Sequence, residues 1–306
     1  MLSVLIPTYN YNVISLVTEL HRQLTKESVV FEILCLDDGS KLDVLESNRN
    51  IEAFSNTSLL VSNTTNGSLK SRVLLSEKSK YKWLLFIDAD TLPKSDTYIL
   101  NYLKAIDFNK NVFFGGFAYY NNPPENDYLL RWKYGRTHEQ VPAKKRNKNP
   151  YKLIISSNYL IKKEAFQKLN LHIENSNYGF DNYFSAQLKQ NKISIMHLDN
   201  EVYHLGIEPS SVYLKKKEQA AESLLFLNNS NLMKDHDVSL LNLFITLKKV
   251  KLNFLISKLY RMLNKTMRKN LTSSNPSIKI LQLYRIGYLC SIDLNNKTKY
   301  AISKTN

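Results

Sequence analysis

The chain has 306 residues, 43% of them hydrophobic, and a formal net charge of +15. It is long enough to bury a full core as one large domain or two modest ones, and no run reaches the roughly 18 apolar residues that span a bilayer as a helix, so a soluble or peripheral protein is expected. Residues 1–210 carry 25 Lys/Arg against 22 Asp/Glu and residues 211–306 carry 17 against 5, so the excess sits in the last third and points to a polyanionic surface, either anionic lipid or nucleic acid.

The opening Met1-Leu2-Ser3-Val4-Leu5-Ile6 is broken by Pro7 and has no basic start, which argues against a signal peptide. Ser3–Pro7 reads as a short apolar strand ending in Thr8-Tyr9-Asn10. Val13, Leu16, Val17, Leu20 and Leu24 recur at helical spacing, and Phe31–Leu36 is a second strand closing on Asp37-Asp38-Gly39-Ser40. Strand, helix, strand makes a parallel βαβ unit. Helices over 42–48 and 69–79 flank a third strand at Leu59–Val61, and a fourth runs from Trp83 to Ile87 before a helix over 95–105. The spacing then predicts a glycine-broken strand over 112–120, a long polar loop over 121–150, a strand over 153–161 and a helix over about 183–190. Short strands at 193–196 and 202–204 follow, and the pattern is helical after Lys215. Cys35 and Cys290, far apart in sequence, fit a reduced, cytosolic setting.

The fourth strand ends in Asp88-Ala89-Asp90. Side chains alternate along an extended chain, so both carboxylates are expected on one side of the strand end, where ligands bind in open α/β sheets. They repel unless a cation sits between them, and a hard divalent ion completed by phosphate oxygens relieves that. The plain alternative is a polar loop with two capping aspartates.

These landmarks in order resemble the inverting family 2 glycosyltransferases. The resemblance covers roughly residues 1–210 and implies an α/β fold of the GT-A type, a Rossmann-like mixed central sheet flanked by helices, with a basic helical C-terminal extension over 211–306. Residues 1–110 would be the nucleotide-binding half and 111–210 the acceptor half. Val4–Asn10 looks like the family's opening strand and loop, which places Pro7, Thr8 and Tyr9 at the nucleotide. Asp38 is expected to meet the base. Gly67 and Arg72 match the family's Asn-x-Gly-x-x-x-x-Arg pattern in part, with Thr65 where the asparagine would stand. Asp88, Ala89 and Asp90 are similar to the metal-binding Asp-x-Asp, and His204 falls where another metal or diphosphate contact is often found. Asn158 is assigned to the acceptor side with Trp132. Gly179-Phe180-Asp181 is similar to the Gly-Glu-Asp motif, with Phe180 in place of Glu and Asp181 retained as the base.

Elementary chemistry agrees with these roles. Asp90 with Asp88 can hold a cation, Arg72 can bind phosphate, Tyr9 can stack on a base, and Asp38 can accept from a base or ribose donor. Each has a structural alternative: core packing for Tyr9, a turn cap for Asp38, an N-cap for Asp181 and a satisfied structural imidazole for His204. Inversion requires a base opposite the leaving group, and Asp181 is the carboxylate the resemblance supplies. Val238–Ile292 holds ten Lys/Arg and no acid. Within it Leu252, Leu255, Leu259, Met262 and Leu263 share one helical face and Lys251, Lys258, Arg261, Lys265 and Lys269 another, as in helices that bind membrane surfaces or, alternatively, pack an apolar face on a core.

The reading is a Mn²⁺- or Mg²⁺-dependent transferase, peripheral on the inner face of the cell membrane. It would move one sugar from a nucleoside diphosphate sugar, a UDP-sugar by preference, to a glycan or lipid-linked glycan acceptor in cell-envelope polysaccharide synthesis. Nucleic acid is not an expected partner. The rivals are a nucleotidyltransferase of similar half-fold, which would want a glycine-rich loop where Pro7-Thr8-Tyr9-Asn10 stands, and a non-catalytic nucleic-acid-binding protein suggested by the basic tail alone.

Overall fold

Continuous apolar runs become strands covered on both faces. The computed structural model of the chain describes residues 1–171 and 178–302. In chain order it forms β1 (Leu2–Thr8), α1 (Ile14–Lys26), β2 (Phe31–Asp37), α2 (Leu42–Asn48), β3 (Thr57–Val61), α3 (Ser68–Lys78), β4 (Trp83–Ile87) and β5 (Thr91–Pro93). There follow α4 (Tyr98–Ala105), β6 (Val112–Phe114), β7 (Phe117–Ala118), α5 (Leu129–Tyr134), α6 (Ala143–Arg146), β8 (Asn158–Lys162), α7 (Lys163–Gln167), α8 (Phe180–Gln190), β9 (Ile195–His197) and β10 (Val202–His204). The last third is α9 (Ser210–Asn229), α10 (Ser239–Lys249), α11 (Asn253–Leu271) and α12 (Ile278–Ile302).

The chain divides into two compact units. The first takes in Met1–Tyr120, Gly135–Ser176 and Gln187–Gly206, and holds both sheets. Its main sheet has the order β3-β2-β1-β4-β8-β6-β9. The β3-β2-β1-β4 half is parallel, as βαβ connections require, whereas β8 is antiparallel to both β4 and β6. β4 is buried throughout, between β1 and β8. On α1, Leu16, Val17, Leu20 and Leu24 are buried, the face predicted by their spacing. A smaller sheet, β5-β10-β7, pairs β10 antiparallel to β5 and parallel to β7.

The α/β class, the mixed central sheet flanked by helices and the helical C-terminal region are therefore as expected. Three elements differ. The strand expected over 153–161 starts only at Asn158, because the backbone just before it serves other groups: Ser157 O accepts from Asp88 N at 3.0 Å and Ser156 O from Arg72. The strand expected over 112–120 divides at Gly115-Gly116, where the chain leaves the seven-stranded sheet for the three-stranded one. The loop expected over 121–150 is largely helical turns, including α5, a π-helical turn at Gly135–Glu139 and α6, and it buries Leu129, Leu130 and Ala143.

The second unit is Asn121–Tyr134, Asn177–Ala186 and Ile207–Asn306. Leu130, Tyr213, Leu214, Tyr260, Leu271, Leu281 and Tyr284 form its core. Among the described residues no helix is long and apolar enough to cross a membrane.

Candidate active site

The chain leaves the sheet at the end of β4 and turns at once. Thr91 closes the turn by donating from N (3.2 Å) and Oγ1 (2.7 Å) to the Asp88 carbonyl. Because 88–90 is a turn and not extended chain, strand alternation does not govern the two carboxylates, and they take different partners. Asp88 Oδ1 accepts from Arg72 Nη2. Arg72, on α3, is itself buried, and its Nη1 donates to the Ser68 carbonyl at 3.1 Å. Asp88, expected as a metal ligand, is thus neutralised by a guanidinium in this structure; that pair presents a cationic group with its counter-ion, not a free carboxylate.

Asp90 meets His204 instead, with Oδ2 3.4 Å from Nε2. The cause is register. β10 pairs with β5 so that His204 lies opposite Thr91, and Leu205 N continues the pairing to the Asp90 carbonyl at 2.8 Å. The imidazole is packed by the Phe117 and Tyr119 rings, with centroids 5.0 and 5.8 Å away. Its buried Nδ1 has no hydrogen-bond partner among the described residues, so His204 is not the satisfied structural histidine of the plain alternative. Gly206 completes the arrangement. A Cβ there would stand 2.0 Å from Asp90 Oδ2, so any side chain would displace the carboxylate.

A divalent ion about 2.1 Å from each of two neighbouring donors holds them about 3 Å apart, close to the spacing of Asp90 and His204. A carboxylate with an imidazole suits manganese better than magnesium. Among the described residues no three His, Cys, Asp or Glu side chains group as a metal site. Tyr11, which the sequence did not single out, also senses this site: burial first, and then the Asp90 charge, push its phenol up.

Of the other expected nucleotide residues, Thr8 is buried and donates to the Tyr11 carbonyl at 3.1 Å, Pro7 is half-buried and Ala89 is buried. Tyr9 is 57% exposed, which removes core packing as its role. Asp38 does what a turn cap does. Its oxygens accept from Asn66 N (2.8 Å), Asn66 Nδ2 (2.9 Å) and Gly67 N (2.7 Å), tying the end of β2 to the start of α3. Its neighbour Asp37 was passed over in the sequence. Oδ1 accepts from Gly39 N and Ser40 N, and the buried Oδ2 has no hydrogen-bond partner among the described residues. No sequence signal separates these adjacent carboxylates.

Asn158, expected to face the acceptor, is a correction. It is fully buried, and its four hydrogen bonds are all made within the chain. Tyr98 and Tyr102 hydroxyls donate to Oδ1 at 2.8 and 2.7 Å, and Nδ2 donates to the Gly116 and Asn200 carbonyls at 2.9 and 3.0 Å. That amide has no capacity left for a sugar.

Gly179, Asp181 and Trp132 belong to the second unit. Gly179 has φ +109°, a conformation suited to glycine, immediately before α8, and packs against Ala220. The helix begins at Phe180, three residues before the expected Tyr183, so Asp181 lies in its first turn with an exposed side chain. The expected aromatic contact of Phe180 concerns a side chain outside the described residues. Trp132 is half-buried on α5.

The model of glycosyl transferase family 2 matches residues 3–170, more than half of the chain. That span contains Asp38, Arg72, Asp88, Asp90 and Asn158 and stops before Asp181 and His204. No curated protein sequence matches. Among solved structures, S. aureus TarS 1–349 in complex with UDP-GlcNAc is similar at 16% identity and a TM-score of 0.49, over 73% of this chain and 66% of that one. The mannosyltransferase PcManGT from Pyrobaculum calidifontis, in complex with GDP-Man and Mn2+, is similar at 12% identity and 0.48, over 72% and 61%. A mycobacterial protein is similar at 12% and 0.50, over 74% of each chain. The chain thus spans less than two thirds of the first relatives named, and likeness at such identities concerns the fold alone. The family match, on a mixed sheet of this topology, identifies the chain as a member of glycosyl transferase family 2 with the GT-A fold.

Proposed function

We propose that the protein transfers one sugar, with inversion, from a nucleoside diphosphate sugar to a hydroxyl of a glycan or lipid-linked glycan in cell-envelope polysaccharide assembly. It would work on the inner face of the cell membrane. The observation that carries this reading is the meeting of Asp90 and His204 beside Gly206, next to the Arg72–Asp88 pair at the end of β4.

Asp90 and His204 would hold a divalent cation, which supplies positive charge to the departing diphosphate. Arg72, buried against Asp88, is the guanidinium next to that site, and Tyr9, exposed on the loop after β1, offers a ring for the base. The acceptor oxygen forms the new bond to the anomeric carbon as the bond from that carbon to the diphosphate oxygen breaks. The acceptor's proton goes to a carboxylate, which we assign to Asp181 on the resemblance and on its exposure at the start of α8.

Thermal stabilisation by UDP together with Mn²⁺, compared with either alone, tests the site. Wild type should gain stability from the pair, and Gly206→Ala and Asp90→Asn should both lose that gain. Asp181→Asn should keep it while transfer falls about a thousandfold, within the range of general-base catalysis. Transfer near the wild-type rate in Asp181→Asn would remove the base assignment, and an undiminished gain in Asp90→Asn would remove the cation site.

A further inference from the structure

α11 carries apolar side chains on its outward side as well as on the side it packs against the core. Asn253, Ser257, Tyr260 and Leu271 face inward and are buried. The Tyr260 ring meets Tyr284 and Tyr288 of α12 edge-on, at 5.3 and 6.1 Å. The side turned outward carries Leu255, Leu259 and Met262, with Leu252 just before the helix, all between 43 and 69% exposed. Their spacings of three, four and three set them in one stripe. Lys258, Lys265 and Lys269, at spacings of seven and four, form a second exposed stripe roughly 60° round the helix from the first.

Exposed leucines scattered singly need no explanation. A row of them along the outer face of a 19-residue helix does. Each is left partly in water where burial would be favourable, while the same helix buries an asparagine and a serine. The occupant of that face must therefore be apolar along one line and anionic along the next. The charge is complemented nowhere nearby in sequence, since Val238–Ile292 has no Asp or Glu. Nucleic acid would satisfy the lysines and leave the leucines wet. A second copy of the helix would cover the leucines and set lysine against lysine. The interface of an anionic bilayer satisfies both at once, with acyl chains under the leucine and methionine stripe and headgroups at the lysines.

We infer that the outward face of α11 is a membrane-docking surface that lies along an anionic bilayer, with Leu255, Leu259 and Met262 inserted and Lys258, Lys265 and Lys269 at the headgroups. The inference names the contact surface that the proposed peripheral location leaves unassigned. It stands on unit 2 alone, whatever reaction the sheet unit performs.

The test is co-flotation of the full chain with phosphatidylglycerol–phosphatidylcholine vesicles and with phosphatidylcholine vesicles. Wild type should float with the first and not the second. Lys258→Gln/Lys265→Gln should weaken vesicle affinity about 30-fold, with the difference shrinking at high salt. Leu255→Asn/Leu259→Asn/Met262→Asn should weaken it about 100-fold at any salt. Circular dichroism and melting of both variants check folding, and only a small loss of helix propensity is expected from the triple variant. Four results would overturn the inference: no wild-type flotation, flotation undiminished in both variants, a concentration-dependent dimer that the triple variant abolishes, or tighter binding to single-stranded RNA than to anionic vesicles. Stabilisation by UDP and Mn²⁺ should be the same in all three proteins, so failure here leaves the glycosyl-transfer reading standing, and the reverse also holds.

Discussion

The sheet unit and α11 use the same kinds of residue in opposite ways. In the sheet unit most Leu, Ile and Phe are inside, and polar groups taken in with them are matched one to another around Asn158 and between Arg146 and His197. In α11 Leu255 and Leu259 are outside, while an asparagine and a serine are inside beside Tyr260 and Leu271. Amphipathic spacing therefore tells that a helix has two faces, and not which of them the chain itself covers. Where the inward face is already supplied by other residues, a leucine stripe becomes available for something other than folding.

That contrast is open to direct attack. Asn158→Ala should be the most damaging change of the three considered, because it strands two tyrosine hydroxyls and two carbonyls at a fully buried position. A loss of about 4 kcal/mol in urea unfolding is expected. A variant of wild-type stability with a raised KM for acceptor would return Asn158 to the acceptor side. His197 gives a smaller, pH-gated effect. Its Nε2 lies 2.8 Å from the Pro150 carbonyl and its Nδ1 accepts from Arg146 Nη1 at 2.9 Å, an arrangement made for the neutral ring. Burial first, with the Arg146 charge adding to it, lowers its pKa from 6.5 to about 4. The unfolded chain then takes up the proton before the folded one does. The contribution is complete above about pH 6.5 and disappears as pH falls to about 4, some 3 kcal/mol in all. His197→Gln should flatten the stability–pH curve across that window, and an unchanged slope would place the acid sensitivity elsewhere. Least of all should follow from Leu255→Asn on α11, within about 0.5 kcal/mol by the same urea measurement. A loss of several kcal/mol there would mean that the outer stripe does serve the fold, and the contrast would be gone.

Much of the parallel half was legible because strands buried on both faces are written as unbroken apolar runs: β1, β2 and β4 lie within a residue or two of their predicted bounds. The Asp88-Ala89-Asp90 landmark was legible for the same reason, as the point where such a run stops. What each carboxylate touches was not. The pairing of Asp90 with His204 depends on the register of two three-residue strands, and strands so short leave no periodicity to read. Gly206 was invisible because its importance is a distance and not a pattern. Asn158 was misread because a buried amide and a sugar-binding amide look alike in sequence; only Tyr98, Tyr102, Gly116 and Asn200 around it tell them apart. The segment over 121–150 was polar enough to pass for a loop, and its helical turns are held by the burial of Leu129 and Leu130.

The ladder between β5 and β10 also has a consequence for biosynthesis. Residue 90 leaves the ribosome long before residue 204, and until the later strand arrives there is no imidazole beside the carboxylate and no glycine making room for it. A nascent chain with its parallel half already folded would lack the paired donors for a cation. Under the proposed function, activity would be deferred until synthesis has passed the small sheet, and a fragment cut off before it would be inert.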